Sequence, residues 1–316
     1  MAYITDLIKA NKRGFSLEIQ PPERYKEKGH YAERIDPLMR YTPSFATITY
    51  HQEKMEEHKM GKNVMLKPMK VRVGPDIIAA YLQGRYPDIP FAPHFICGGF
   101  TKKETESAAV QIFYVVDNLV LIRGDANYGN RFKPDPEGHA HASGLIAQFL
   151  AMERGQYLDR SGPPVRFCKG FAGYPEKHYA SPNLDACIER LKEKQDAGGD
   201  FMITQICFDN DALLRFRDSC ARHGVTVPVI PGIKTLDGER QMAGESGLPA
   251  NFSITVPQAL CDLAARAGVM EAGRLWAVQQ AEGLYREGFP IVHLYSMNKP
   301  ETITPVLDAL GFASKA

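Results

Sequence analysis

The sequence predicts an α/β protein, a (β/α)8 (TIM) barrel that fills residues 1–316 as a single domain. Three observations predict it. Eight short apolar runs rich in β-branched and aromatic residues recur along the chain. Stretches with helical spacing separate them, and strands that alternate with helices build parallel sheets. The runs start about 39 residues apart on average, against roughly 31 per strand–helix unit in a barrel of ordinary length, which leaves room for loop insertions. An open doubly wound sheet is the competing architecture. The phosphate loops usual there, G-x-G-x-x-G and G-x-x-x-x-G-K-[ST], do not occur in the sequence.

The strand-like runs are FSLEIQ (15–20), FATITY (45–50), FAPHFIC (91–97), LVLIRG (119–124), VRFCKGF (165–171), FMITQI (201–206), VPVIP (227–231) and IVHLY (291–295). In the first, Phe15, Leu17 and Ile19 alternate and a prolyl pair stops the run; a period of two is the strand signature. A helix is expected over 101–117, opened by a capping box of Thr101 and Glu104. Another is expected over 181–198, with Ser181 as N-cap and Pro182 at the first helical position. Residues 209–224 and 271–288 carry the third and fourth, the former ending in Gly224. Long connections follow the second run (51–73) and the fourth (125–138), and a third separates the last two runs. The 51–73 segment mixes both charge signs and reads as a solvated loop with a helical turn, or as a lid or basic rim for an anionic substrate.

Hydrophobic residues make up 44% and charged residues 24%, ordinary for a globular protein, and the formal net charge is +1. Nothing in that balance suggests a nucleic-acid or anionic-membrane surface. No apolar run reaches the roughly 18 residues of a membrane span. The start, MAYITDLIKANKRG, lacks the apolar core of a secretory leader, so a cytoplasmic protein is expected. The six cysteines form no C-x-x-C pair and read as small buried apolar residues. His139 and His141, in EGHAHAS, are the nearest approach to a metal pair and read as solvated histidines at a helix start; no metal is expected.

Barrel enzymes of this type draw catalytic residues from the C-terminal ends of their strands. Those ends offer Glu18 and Gln20, Thr49 and Tyr50, His94, Arg123-Gly124-Asp125, Tyr174 and His178, Gln205 and Asp209, Tyr295 and Asn298. Singly, each has an ordinary reading: Asp125 as a turn residue, His94 as a satisfied core histidine, Gln205 bonded to its own sheet edge. Glu18 raises the sharper question, because a carboxylate inside an apolar strand is costly unless something satisfies it. Its ordinary reading is an edge strand with Glu18 in solvent, and its functional reading is an acid at a strand end. Together the set describes a barrel mouth rich in polar groups without revealing a reaction.

The ordered segments FSLEIQPP, TITY, APH, LIRGD, GYPEKH, LKEKQDAG, ITQICFDND, VPVIPGI and HLYSMN, spanning 15–298, resemble the methylenetetrahydrofolate reductase family. The resemblance implies a (β/α)8 barrel that binds FAD and reduces 5,10-methylenetetrahydrofolate to 5-methyltetrahydrofolate with NADH or NADPH, in one-carbon metabolism and methionine supply. By the same resemblance Glu18 is the general acid that opens the methylene bridge to a 5-iminium cation, to which reduced flavin gives hydride. Asp125 matches the aspartate beside the flavin ring, where its charge favours the cationic iminium. Tyr50, His94, Arg123, Gly124, Ala142, Tyr174, His178, Ser181 and Lys194 match flavin-contacting positions, with Lys194 reaching a phosphate, and Thr49 faces the flavin or the nicotinamide. Gln205, Gln241 and Lys299 match substrate contacts. The resemblance implies a small-molecule folate substrate, with no nucleic acid or membrane partner and a homo-oligomer as an option.

Departures from the family pattern are specific. Gln20 stands where an aromatic is frequent, His51-Gln52-Glu53-Lys54 replaces a Gly-rich turn after TITY, and Lys299 replaces an arginine. The segment IPGIKTLDGERQMA lacks an aromatic found in some relatives. Two other readings stay open: a catalytically silent folate- or flavin-binding paralogue, and a reductase fed by a protein electron donor. No regulatory domain is expected after residue 316.

Overall fold

In the computed structural model, which describes residues 2–51, 54–60, 63–69, 72–125, 132–242 and 254–315, eight strands close a parallel barrel. The strands in chain order are β1 (Gly14–Ile19), β2 (Phe45–Ile48), β3 (Lys54–Met60), β4 (Asn63–Met69), β5 (Phe91–Ile96), β6 (Asn118–Ile122), β7 (Cys168–Gly173), β8 (Phe201–Ile206), β9 (Val229–Ile233) and β10 (Ile291–Tyr295). The ring runs β1-β10-β9-β8-β7-β6-β5-β2, so β1 lies between the last strand and β2. Its register sets Glu18 level with Tyr295 on one side and with Thr47 on the other.

Around the barrel lie α1 (Ile4–Ala10), α2 (Lys28–Met39), α3 (Pro75–Arg85), α4 (Lys102–Ile112), α5 (Ala142–Glu153), α6 (Leu184–Asp196), α7 (Asn210–Arg222), α8 (Glu239–Met242), α9 (Gln258–Ala267), α10 (Val269–Arg286) and α11 (Pro300–Ala309). Strand alternation sorts the core into two layers. Phe15, Leu17 and Ile19 pack outward against α2 residues such as Ile35 and Leu38, all essentially buried. Each such side chain contributes on the order of 2 kcal/mol of apolar burial. Ser16 and Glu18 therefore face the barrel interior. Inside, Phe45, Phe201, Ile230 and Ile291 pack with Ile4 and Ile8 of α1, which closes the N-terminal end. The buried Asn118 side chain fixes that plug, accepting from the Ile4 amide at 2.8 Å and donating to the Ala2 carbonyl at 3.1 Å.

Several expectations are corrected. The 51–73 segment carries an antiparallel ribbon, β3 against β4, not a loop with a helical turn. Backbone pairing in a ribbon needs no apolar face, so charge content was no argument against strands; Gln52, Glu53, Gly61, Lys62, Lys70 and Val71 lie outside the described residues. The cap of α6 is Asn183, whose side chain accepts from the Ala186 amide at 2.8 Å, and not Ser181. Asn is at least as good a cap as Ser, and the shift leaves Ser181 in the loop before the helix. The fifth and seventh strands begin later than expected, at Cys168 and Val229. His139 is not solvated: its Nε2 meets Gln148 Oε1 at 2.5 Å. The Thr101–Glu104 capping box forms as expected, and the cysteines are free thiols, five of them buried.

Candidate active site

The C-terminal mouth of the barrel opens into a cavity of about 800 Å3. Glu18, Thr49, Tyr50, His94, Arg123, Gly124, Asp125, Ala142, Tyr174, His178, Ser181, Lys194 and Gln205 all line it. The fold brings them there for local reasons. Gly124 has φ +88°, so the turn after β6 presents Arg123 and Asp125 to the cavity through a backbone shape that favours glycine. Gln205 sits at a register irregularity between β8 and β9. Its Oε1 accepts the neighbouring Ile206 amide at 2.7 Å, which satisfies the irregularity, and its Nε2 makes no hydrogen bond among the described residues. Gly232 of β9 lies against Tyr295, where a Cβ would come within 2.7 Å of the ring and 2.4 Å of the Thr204 carbonyl. Tyr295 uses that space to donate to the Thr204 carbonyl at 2.7 Å.

Glu18 is the electrostatic centre. Burial raises its carboxyl to about 8; the Lys234 charge opposes that rise and the Asp125 charge adds to it. A carboxyl in such a setting keeps its proton near neutral pH. Asp125 is also raised by burial, with Arg123 opposing. The histidines go the other way: burial lowers His94 and His293 to about 3, and burial with the nearby cations lowers His178 to about 4. His94, His178 and His293 are therefore neutral.

The backbone of Glu18 is held from β10. Ser296 Oγ donates to the Glu18 carbonyl at 2.5 Å, and Asn298 bonds Gln20 twice, accepting from its amide at 2.9 Å and donating to its carbonyl at 2.7 Å. Met297 and Asn298 adopt left-handed backbone, φ 49° and 55°, so the SMN turn is spent on gripping the strand that carries the acid.

A second region of the cavity is cationic. Lys194 Nζ donates to the Ala172 carbonyl at 2.9 Å and forms no ion pair among the described residues; burial lowers it to about 8. Arg123 Nη2 donates to the Tyr179 hydroxyl at 3.1 Å. Helix α5 points its N-terminus here, with no side-chain cap and no acid in its first turn. Two cations and the free amides of a helix start make an anion cradle.

Two candidate residues sit elsewhere. Gln241 and Lys299 are outside the cavity lining and both hold Asp237: Gln241 Nε2 donates to Oδ1 at 2.5 Å and Lys299 Nζ meets Oδ2 at 2.5 Å. Sequence reasoning missed Thr47 and His293, which line the cavity. Thr47 Oγ1 is buried without a hydrogen-bond partner among the described residues. Both were legible by alternation, two residues before Thr49 and Tyr295.

The fold and cavity define a class: a (β/α)8 barrel whose C-terminal mouth holds a buried carboxyl and a cationic cradle in one cavity. Residues 3–311 match the sequence model of the family described as methylenetetrahydrofolate reductase, and the chain belongs to that family. It is 27% identical to a nematode (Caenorhabditis elegans) relative named "Probable methylenetetrahydrofolate reductase (NADPH)", covering 98% of this chain and 44% of that protein. It is 26% identical to the 5,10-methylenetetrahydrofolate reductase of Buchnera aphidicola, covering 92% of this chain and 88% of that one. The chain thus spans less than half of the nematode protein and most of the bacterial one. Among solved structures, a Clostridium thermocellum protein described as binding two copies of 5-methyl-5,6,7,8-tetrahydrofolic acid shares the fold, with TM-score 0.59, 14% identity and 98% coverage of both chains.

Proposed function

We propose that this protein reduces 5,10-methylenetetrahydrofolate to 5-methyltetrahydrofolate in the cytoplasm, using FAD held in the cavity and electrons from NADH or NADPH. The observation that carries the reading is Glu18: a carboxyl kept protonated to about pH 8 inside a ligand-sized cavity. The residues present fit FAD. The cradle of Lys194, Arg123 and the α5 N-terminus suits a diphosphate, and the orphaned Thr47 hydroxyl calls for a polar partner from a bound molecule. Bound there, the flavin supplies the hydride.

The chain's own groups handle the proton and the charge. Glu18 delivers its proton to the folate nitrogen that leaves the methylene bridge, a general-acid step that opens the ring to an iminium cation. Asp125 offers negative charge to that cation. Neutral His94 and His293 add no competing positive charge, and Gln205 Nε2 is a donor for the folate. No helix among the described residues is long and apolar enough to cross a membrane.

The test is an absorbance spectrum of the purified protein followed by anaerobic addition of NADH, then NADPH, then folate. A flavin spectrum that bleaches with a nicotinamide and recovers with methylenetetrahydrofolate is expected. In Glu18→Gln the bleaching persists and the recovery is lost. A flavin that neither nicotinamide reduces moves the donor to a protein partner. Absence of flavin after incubation with FAD refutes the reading.

A further inference from the structure

Lys234 follows β9 directly and is 3% exposed. Register carries it to the level of the acid. Gly232 and Ile233 pair with His293 and Leu294, so the next step along both strands brings Lys234 level with Tyr295, which is itself level with Glu18. Alternation puts Lys234 on the same side as Gly232, the residue packed against the Tyr295 ring. Lys234, Tyr295 and Glu18 thus occupy one tier across three adjacent strands.

A buried ammonium normally sits on a carboxylate of its own. Asp237, three residues on, is the natural candidate, and its side chain is 8% exposed. Yet both its oxygens are already engaged, Oδ1 by Gln241 Nε2 and Oδ2 by Lys299 Nζ, and its amide donates to Gln241 Oε1 at 2.9 Å. Lys234 forms no hydrogen bond or ion pair among the described residues. Lys299 holds Asp237 directly while Lys234 only feels its charge, and the Glu18 carboxylate is the second anion acting on Lys234.

We propose that Lys234 is a positioning residue that sets the acid strength of Glu18, with Asp237, Lys299 and Gln241 holding the cluster so that the Lys234 charge acts on Glu18. This rests on the reading of Glu18 as the proton donor. Burial alone would make Glu18 too weak an acid to part with its proton. The Lys234 charge favours the carboxylate left after transfer; burial and the Lys299 charge work against the charge on Lys234, while Asp237 and, after it, Glu18 support it. The other groups facing Glu18 are Asp125 from the β6 turn, which weakens it as an acid, and Tyr295 from β10, whose own hydroxyl burial holds un-ionised. His94 on β5 and His293 on β10 are neutral, and β2 contributes the uncharged Thr47.

The measurement is a pH titration of the Glu18 carboxyl by 13C NMR on protein labelled at glutamate carboxyls, with Glu18→Gln assigning the resonance. Lys234→Met removes the charge at nearly constant volume and is expected to make Glu18 at least about tenfold weaker as an acid. Lys234→Arg keeps the charge and stays within about threefold of wild type, whereas Asp125→Asn moves the titration the opposite way. The alkaline limb of the kcat/KM profile moves to higher pH in Lys234→Met, in step with the titration. If Lys234→Met does not fold, Lys234→Gln carries the same expectation. A Glu18 titration unchanged within about twofold in the uncharged variant overturns the proposal. The titration needs no folate, so it stands apart from the functional reading, which fails instead if Glu18→Gln still turns over folate.

Discussion

At the scale of single residues, the barrel mouth is built on two unmet demands, one of charge and one of hydrogen bonding. Glu18 is a carboxyl that burial keeps neutral. Thr47, beside it in register, is a buried hydroxyl without a partner among the described residues. An unsatisfied buried hydroxyl costs about 1–3 kcal/mol, a cost a folded chain retains where a ligand meets it. Thr47→Val is isosteric and removes the demand. The ligand-free variant is expected to be more stable than wild type by about 1 kcal/mol, read from urea unfolding, while FAD binds several-fold more weakly. A variant that loses stability and binds FAD as before would show that Thr47 is structural.

At the scale of elements, the acid depends on a turn in a different strand. Asn298 bonds the Gln20 backbone at both its amide and its carbonyl, and Ser296 bonds the Glu18 carbonyl. Asn298→Ala removes two bonds and keeps a left-handed φ that alanine tolerates poorly, so a loss of about 2–3 kcal/mol is expected by urea unfolding. Asn298→Gly relieves the backbone while leaving the bonds unmade, and should fall between alanine and wild type. Equal losses in both variants would assign the whole effect to the bonds. The same turn shows where legibility in the sequence stops. Local pattern sufficed for β8 and β10, whose bounds are those the apolar runs mark, and for the α4 capping box. Alternation set Glu18 on the face opposite its apolar neighbours, and only the closed ring of strands makes that face the barrel interior. The β3–β4 ribbon escaped because pairing leaves no trace in a mixed-charge segment, and α2 and α11 were masked by Pro37 and Pro305 within them. Lys234 and Asn298 act on residues 18 and 20, and only the closure of β1 onto β10 makes those separations short.

At the scale of the whole molecule, the site leaves its mark on stability against pH. Burial holds His94 and His293 at about 3, far below the roughly 6.5 of an unfolded histidine. Between those values the unfolded chain binds more protons at both positions, so stability falls as pH drops below about 6.5. His178, lowered to about 4, adds to the same slope. Glu18 works in reverse: held at about 8, it stays protonated where the unfolded glutamate, near 4.3, has ionised. Its contribution is therefore lost as pH rises from about 4.5 to about 8. Below pH 6.5 the histidines outnumber it and stability rises with pH; above, Glu18 remains and stability declines. The curve should peak near pH 6.5 and lose about 2 kcal/mol by pH 8 from this one group, at about 1.4 kcal/mol per pH unit for one proton. Urea unfolding at half-unit steps from pH 5 to 8 measures it. In Glu18→Gln the descending limb disappears and the variant is more stable than wild type at pH 8, while the acid limb set by the histidines is unchanged. A wild-type curve that is flat from pH 6.5 to 8 would mean that Glu18 is ionised in the folded protein and has no proton to give.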